Sequence, residues 1–272
     1  ATRALGKEWP GRLIKAVRVD PALSGSLVGQ HVVNEILVSD TSADVRYGLQ
    51  SRMVAGAEVT QPIATRWTPS AQDTFLITGG LRGIGLQVAR RVSASGAQVL
   101  LLGRGAPSDE ATRLMASSEG RVVSVRADVT DIDSLTSALS GYAPTALIHS
   151  AGVLADGAVE AVSVEDGAKV RAVKVSGLIN AITACGSSLK VAMGIGSWAG
   201  RFGSRHQTHY AAANAQMSAI IAALPPRLRG VASEFGPWTN SAMVSTIPES
   251  VRASMRRSGV DFVGDVAGLD AV

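Results

Sequence analysis

The sequence predicts an α/β chain in which a parallel sheet is covered by helices on both faces, and three observations carry that reading. From residue 74 onward, short apolar runs of strand length alternate with amphipathic runs of helix length, the pattern of successive βαβ units. The runs VLLL at 99–102 and ALIH at 146–149 are almost continuously apolar, as strands buried on both faces have to be. The earliest strand-length run of the series, TFLIT at 74–78, also leads straight into a glycine-rich turn and a helix start, TFLITGGLRGIGL at 74–86.

Residues 1–72 read as part of a structural subdomain with its linker, and residues 73–272 as the ligand-binding subdomain. Residues 1–9 have helical composition and stop at Pro10, residues 13–19 (LIKAVRV) read as a strand, and residues 27–38 read as a helix with Val28, Val32, Val33, Ile36 and Leu37 on one side. Residues 45–48 and 53–59 suit short strands, and Pro62 and Pro69 bracket the linker. No glycine-rich phosphate turn occurs in this part, so its expected role is to buttress the ligand-binding subdomain.

From residue 74 the spacing predicts strands at 74–78, 98–102, 121–126, 146–150, 189–196 and 228–235, with helices at 83–95, 109–117, 131–140, about 163–184 and 208–223. The sheet is then complete through six strands. Residues 240–259 are polar and serine-rich with Met243, Ile247, Val251 and Met255 as scattered anchors, which suits a flap over a cleft. Both ends of the chain read as cut from something larger.

With 46% hydrophobic residues and 29 glycines among 272, the chain reads as globular. No apolar run approaches the roughly 20 residues of a membrane span, and residues 1–10 resemble neither a signal peptide nor a transit sequence, so no membrane association and a cytoplasmic location are expected. The single cysteine, Cys185, excludes an intrachain disulfide and reads as a small core residue. A formal charge of +4 permits an acidic partner or a phosphorylated cofactor. Nucleic acid fits poorly, because the basic residues are scattered without a stripe or interleaved aromatics. No metal site is expected.

The glycine-rich turn contains Thr78, Gly79, Gly80, Arg82, Gly83, Ile84 and Gly85. Only glycine lets a backbone approach a pyrophosphate closely, and the helix start behind it offers unpaired N–H groups. The spacing TGxxxGxG differs from the common GxGxxG, and a tight βα loop of another α/β protein is the rival reading. At the end of the second strand, where an NAD-selective site places an acid, stands Arg104. Its guanidinium can meet a 2′-phosphate, which argues for NADPH; a solvated loop arginine is the alternative. Asp128 and Val129 end the third strand where a polar group can face adenine, and Ser150, Ala151 and Gly152 close the fourth with small residues that leave room for the nicotinamide side. His149 reads as a packed, hydrogen-bonded histidine rather than a base.

Lys174 interrupts an otherwise apolar helix face, in line with Val170 and Leu178. Either it points inward to a reaction centre or its stem carries the ammonium out to solvent. Ser197 follows the fifth strand at the edge where open α/β sheets bind ligands. Tyr210 and Asn214 lie four apart on the next helix and share a face. Together these residues suit carbonyl reduction: Ser197 hydrogen-bonds the carbonyl oxygen, Tyr210 donates a proton, Lys174 lowers the phenol pKa, and Asn214 holds the water or backbone that resupplies the proton.

Lys174 in KVSG, SWAG at 197–200, YAAAN at 210–214, HSAG at 149–152 and GPW at 236–238 resemble the short-chain dehydrogenase/reductase family, and within it the ketoreductase domains of modular and iterative polyketide synthases and of polyunsaturated fatty acid synthases. Most family members carry YxxxK; the exchange of lysine and asparagine seen here marks the synthase ketoreductases. The resemblance implies a Rossmann-like doubly wound sheet of short-chain dehydrogenase/reductase type, preceded by a truncated Rossmann-like structural subdomain that includes the LGKEWP helix end. It implies NADPH as cofactor, and as partners an acyl carrier protein with a phosphopantetheine-bound substrate and the neighbouring domains of a megasynthase, the oligomeric state being left open.

The resemblance further implies β-ketoacyl reduction to a D-3-hydroxyacyl thioester, because Leu154-Ala155-Asp156 keeps the second aspartate of an LDD segment. The tryptophan typical of the opposite hand is replaced by Phe202, and Trp198 stands four residues too early. Trp238 and Met243 are the other expected substrate-side residues. Two positions depart from the pattern: Gly196 stands where serine is frequent, and His206 where glycine is common and histidine would strain to reach the same backbone angle. A free-standing reductase of a soluble ketone or acyl-CoA, and an inactive nucleotide-binding scaffold, are the competing functions.

Overall fold

A computed structural model describes residues 1–56, 58, 67–239, 241, 244, 247–257 and 259–270. Its centre is a six-stranded parallel sheet of order β6-β5-β4-β7-β8-β9. The strands are β4 (Thr74–Thr78), β5 (Gln98–Gly103), β6 (Val122–Arg126), β7 (Ala146–His149), β8 (Val191–Ser197) and β9 (Arg229–Phe235). Alternation along the strands divides the apolar residues between two cores. Leu76, Leu100, Leu102 and Leu147 pack with Leu178 and Met217 on one face, and Phe75, Ile77, Val99, Leu101 and Ile148 pack with Leu86 and Val88 on the other. Both faces are buried, which is why these strands read as continuous apolar runs. Cys185 belongs to the first core, where burial pushes its thiol up to about 12.

Helices α3 (Gly83–Ser93), α4 (Asp109–Ser117) and α5 (Ile132–Ala138) connect the first four strands. Ser108 caps α4 by accepting from Ala111 N, and Asp131 caps α5 by accepting from Asp133 N and Ser134 N, side-chain acceptors replacing the missing intrahelical partners. The helix expected over about 163–184 is broken in the middle. It runs as α6 (Val164–Arg171), a π turn over Ala172–Ser176, and α7 (Gly177–Cys185). Helices α8 (Trp198–Phe202) and α9 (Thr208–Ala222) follow β8. Part of the expected flap, residues 240, 242–243, 245–246 and 258, lies outside the described residues; within the rest a helix spans Glu249–Arg257. Among the described residues no helix is long and apolar enough to cross a membrane, and no group of metal-ligating side chains occurs.

The N-terminal part contains α1 (Thr2–Glu8), β1 (Ala16–Val19), α2 (Gly25–Leu37), β2 (Asp44–Tyr47) and β3 (Arg52–Val54). The strands form a separate small sheet in the order β1-β2-β3. The first strand is shorter than expected, and the strand expected over 53–59 ends at Val54, its far end lying outside the described residues. Helix α2 starts earlier than the apolar pattern suggested because Ser24 caps it, accepting from Leu27 N. Its apolar side does not face inward: Val33, Ile36 and Leu37 are exposed, and the buried residue is Glu35. Three side chains on or beside the small sheet donate to Glu35, Lys15 Nζ at 2.7 Å, Tyr47 OH at 2.7 Å and Arg52 through both Nε and Nη2, the latter at 3.0 Å. Helix α1 reaches back to the main body, Lys7 Nζ donating to Gly203 O at 2.9 Å and Trp9 Nε1 to Glu160 Oε1 at 2.6 Å.

The Arg52 hydrogen bond, aided by Lys15 and Tyr47, outweighs burial and pulls the Glu35 carboxyl from its ordinary 4.5 down to about 2. A depressed carboxylate stabilises the fold above the unfolded value and loses that contribution as pH falls toward the folded one. Glu35→Gln leaves the buried Lys15 ammonium without its counter-charge, while the more exposed Arg52 keeps Asp40, and should cost about 3 kcal/mol at pH 7. Urea unfolding of both proteins between pH 7 and pH 3 should show the gap narrowing below the unfolded carboxyl's range; a gap constant with pH would contradict the assignment.

Candidate active site

Strand order reverses between β4 and β7, and the crevice at their carboxyl ends holds the residues singled out from the sequence. Thr78 ends β4 fully buried; its Oγ1 is 2.8 Å from His149 Nδ1 and accepts from Ala151 N at 3.3 Å. The next turn approaches β7 so closely that a Cβ on Gly79, whose φ is +69°, would lie 2.9 Å from Ala151 N. Gly80 and Gly85 lie beneath the turn, where a Cβ on Gly85 would come within 2.7 Å of Gly79 O. Arg82, the N-cap of α3, makes no side-chain capping bond and the first turn has no acid, so the helix start presents open N–H groups and positive dipole to the crevice.

A cavity of about 520 Å³ extends from this turn, lined by Gly79, Arg82, Gly83 and Ile84, by Arg104 at the end of β5, by Asp128 and Val129 after β6, and by Ser150, Ala151 and Gly152 after β7. Arg104 is 67% exposed and its Nη1 lies 3.4 Å from Asp128 Oδ2. Burial would raise the Asp128 carboxyl, but donors from Thr130 and the charge of Arg104 outweigh it and hold the group below its ordinary value. Arg82 Nη2 reaches Ala106 O at 3.5 Å across the same loop. A tight turn in which a Cβ on Gly79, Gly80 or Gly85 would collide with neighbouring backbone, an open helix start and two guanidinium groups fit an extended phosphorylated dinucleotide.

A second cavity of about 270 Å³ shares Ile84, Ser150, Gly152 and Ser241 with the first and contains Lys174, Ser197, Tyr210, Asp156 and Trp238. Lys174 sits in the π turn, 4% exposed, with Nζ 2.8 Å from Ile195 O and 3.3 Å from Ala151 O. Burial lowers it from 10.5 to about 8. Ser197 caps α8, its Oγ accepting from Ala199 N at 3.2 Å. Burial raises the Tyr210 phenol above its ordinary value, the Asn214 amide and Ser197 hydroxyl pull it back, and the charge of Asp156 raises it again. The expectation that Lys174 lowers this phenol is therefore not met here: its ammonium faces two carbonyls, and Tyr210 is held protonated. Asn214 is fully buried; Nδ2 donates to Tyr210 O at 2.9 Å, while Oδ1 has no partner among the described residues. His149 is also fully buried, and burial followed by the Lys174 charge depresses it to about 3, which keeps the ring neutral.

Asp156 Oδ2 accepts from Gln207 Nε2 at 3.0 Å, and Gly157 N donates to His206 O at 2.8 Å, so two loops close one side of the cavity. His206 holds a φ of +62°, the left-handed backbone in which glycine is favoured. Gly196 fits its place because a Cβ there would meet Met217 Cε and Ser233 O at 3.2 Å. Phe202, at the end of α8, is 46% exposed and does not line the cavity, whereas Trp198 does. Trp238 lines it and is 3% exposed, its Nε1 without a partner among the described residues. Met243 lies outside the described residues. Gln207 was missed from the sequence, although a polar residue one helical turn before Tyr210 was the available signal.

A family model described as the KR domain matches residues 73–240. Polyketide synthase GfsA of Streptomyces halstedii is 34% identical over 217 residues, which are 76% of this chain and 3% of that protein. The spectinabilin polyketide synthase system protein NorA' of Streptomyces orinoci is 32% identical over 280 residues, 95% of this chain and 7% of that protein. The solved structure of the first ketoreductase of the tylosin polyketide synthase superposes with a TM-score of 0.82 at 27% identity, over 99% of this chain and 60% of that one. The chain thus spans a small fraction of the curated relatives it matches.

Gly85→Ala forces the glycine turn to move, because the new methyl would sit 2.7 Å from Gly79 O. Calorimetric titration with NADPH should show binding weakened at least about tenfold, the loss of roughly one charge-assisted bond. Wild-type affinity in that variant would mean the turn does not cradle the dinucleotide.

Proposed function

The chain belongs to the KR domain family, and we propose that it is an NADPH-dependent β-ketoacyl reductase that converts a β-ketoacyl thioester on an acyl carrier protein to the D-3-hydroxyacyl thioester. The observation that carries this reading is the second cavity, where Tyr210, Ser197 and Lys174 line a space continuous with the glycine-turn crevice. Likeness to polyketide synthases supports the synthase setting over a free-standing reductase. All four reductive side chains are present, which disfavours an inactive scaffold.

A dinucleotide held by the glycine turn, Arg82 and Arg104 would supply the hydride for the carbonyl carbon. Tyr210 supplies the proton to the carbonyl oxygen, and the burial that keeps its phenol protonated keeps it in the donor form. Ser197, its hydroxyl already oriented by Ala199 N, steadies the oxygen as negative charge develops. Asn214 has a buried oxygen to receive the water that returns a proton to Tyr210. Lys174, lowered to about 8 by burial, lines the cavity with its ammonium held on the carbonyls of Ile195 and Ala151, a positive charge beside the space where negative charge develops on the reacting oxygen. Arg104, with Arg82 beside it, selects the 2′-phosphate by exchanging the Asp128 contact for a stronger anion. The first 72 residues act as a supporting subdomain, and neighbouring domains of a synthase present the carrier protein.

Tyr210→Phe should lower reduction of a 3-oxoacyl thioester by about 10²–10⁴ and leave NADPH affinity unchanged, and Ser197→Ala should lower it by about 10²–10³. The wild-type product, separated on a chiral phase, should be the D alcohol, the hand that Asp156 implies. Turnover of the phenylalanine variant within a few-fold of wild type, or a predominantly L product, would overturn the corresponding assignment.

Arg104→Asp should raise the KM for NADPH at least about tenfold, through lost pairing and added repulsion, and change that for NADH much less. Equal losses for the two cofactors would remove Arg104 from the phosphate site.

A further inference from the structure

The first turn of α9, which carries Tyr210, has no cap of its own. Gln207 occupies the N-cap position without a side-chain capping bond, because its amide is turned to Asp156. His206 before it holds a left-handed backbone, φ +62°, which is unfavourable for a residue with a Cβ. Helix N–H groups without partners and a strained approach would leave this end free to shift.

What holds it comes from the opposite end of the sequence. Glu8, the last residue of α1, accepts through Oε1 from Thr208 Oγ1 at 2.6 Å and through Oε2 from the backbone N–H of Val159 at 2.8 Å. Thr208 is the first residue of α9, 7% exposed and two positions before Tyr210; Val159 lies three positions after Asp156. One carboxylate thus spans the two segments that flank the cavity, and its charge sits at the positive end of α9. Its own placement is fixed by the Lys7 contact to Gly203 O and the Trp9 contact to Glu160 on either side of it in sequence.

We propose that Glu8 is a positioning residue for the reduction: through Thr208 and Val159 it sets the separation between the helix that carries the proton donor and the loop that carries Asp156. This rests on the reductase reading above. Misplacement of a donor by a fraction of an ångström acts on the chemical step and not on cofactor binding, which takes place at the other side of the crevice.

Glu8→Ala and Thr208→Val should each lower kcat for a 3-oxoacyl thioester by about ten- to a hundredfold with the KM for NADPH unchanged, while Thr208→Ser restores turnover. The double variant should be no slower than the worse single one, because both remove the same link. Wild-type kcat in Thr208→Val, or losses that multiply in the double variant, would overturn the proposal. Amide hydrogen exchange on the same proteins without substrate separates the two readings. Faster exchange over residues 206–212 and 157–160 in Glu8→Ala, with β4 unchanged, supports the link even where no thioester is reduced, and unchanged exchange there overturns it. A wild-type chain that binds NADPH but reduces no ketoacyl thioester would count against the reductase reading alone.

Discussion

The close approach of β4 to β7 is the constraint on which the rest of the molecule depends. Neighbouring connections leave these two strands in opposite directions across the sheet, and a crevice opens at their carboxyl ends. The Thr78 hydroxyl fastens the two ends, meeting His149 Nδ1 and accepting from Ala151 N. Gly79 can then turn away where a Cβ would lie 2.9 Å from Ala151 N. His149 serves here as a neutral strut: a charge on that fully buried ring, next to the Lys174 ammonium, would be repelled as well as desolvated.

The same burial that makes the sheet stable adjusts the polar groups below the crevice. Lys174 and Tyr210 are both driven toward their neutral forms, the amine downward and the phenol upward. Two backbone carbonyls keep Lys174 in place without neutralising it.

Much of this was legible because the physics is local. Strands β4 to β9 announce themselves by apolar runs that two-sided burial requires, and the glycine turn by backbone angles few other residues adopt. The order of Lys174, Ser197, Tyr210 and Asn214 along those elements is enough to place them at one edge of the sheet. What stayed hidden is non-local. The apolar side of α2 pointed to the wrong face, since the ion cluster formed by Lys15, Tyr47 and Arg52 draws Glu35 inward. Phe202 was chosen by counting along the chain, but α8 turns Trp198 toward the cavity instead. Gln207 acquires its meaning only from Asp156, fifty-one residues away.

The π turn at Ala172–Ser176 makes this long segment two gears on one shaft. An α-helix advances about 100° per residue, so a wider turn resets the phase between the helix before it and the helix after it. Val170 keeps one packing face upstream, while Leu178, Ala181 and Cys185 keep another downstream. Lys174 sits at the slip between them, aimed by the widened turn and not by either face. The core behind the sheet can therefore be repacked on α7 without rotating the lysine, and loss of one residue from the turn would swing the ammonium off its carbonyls while leaving both helices intact.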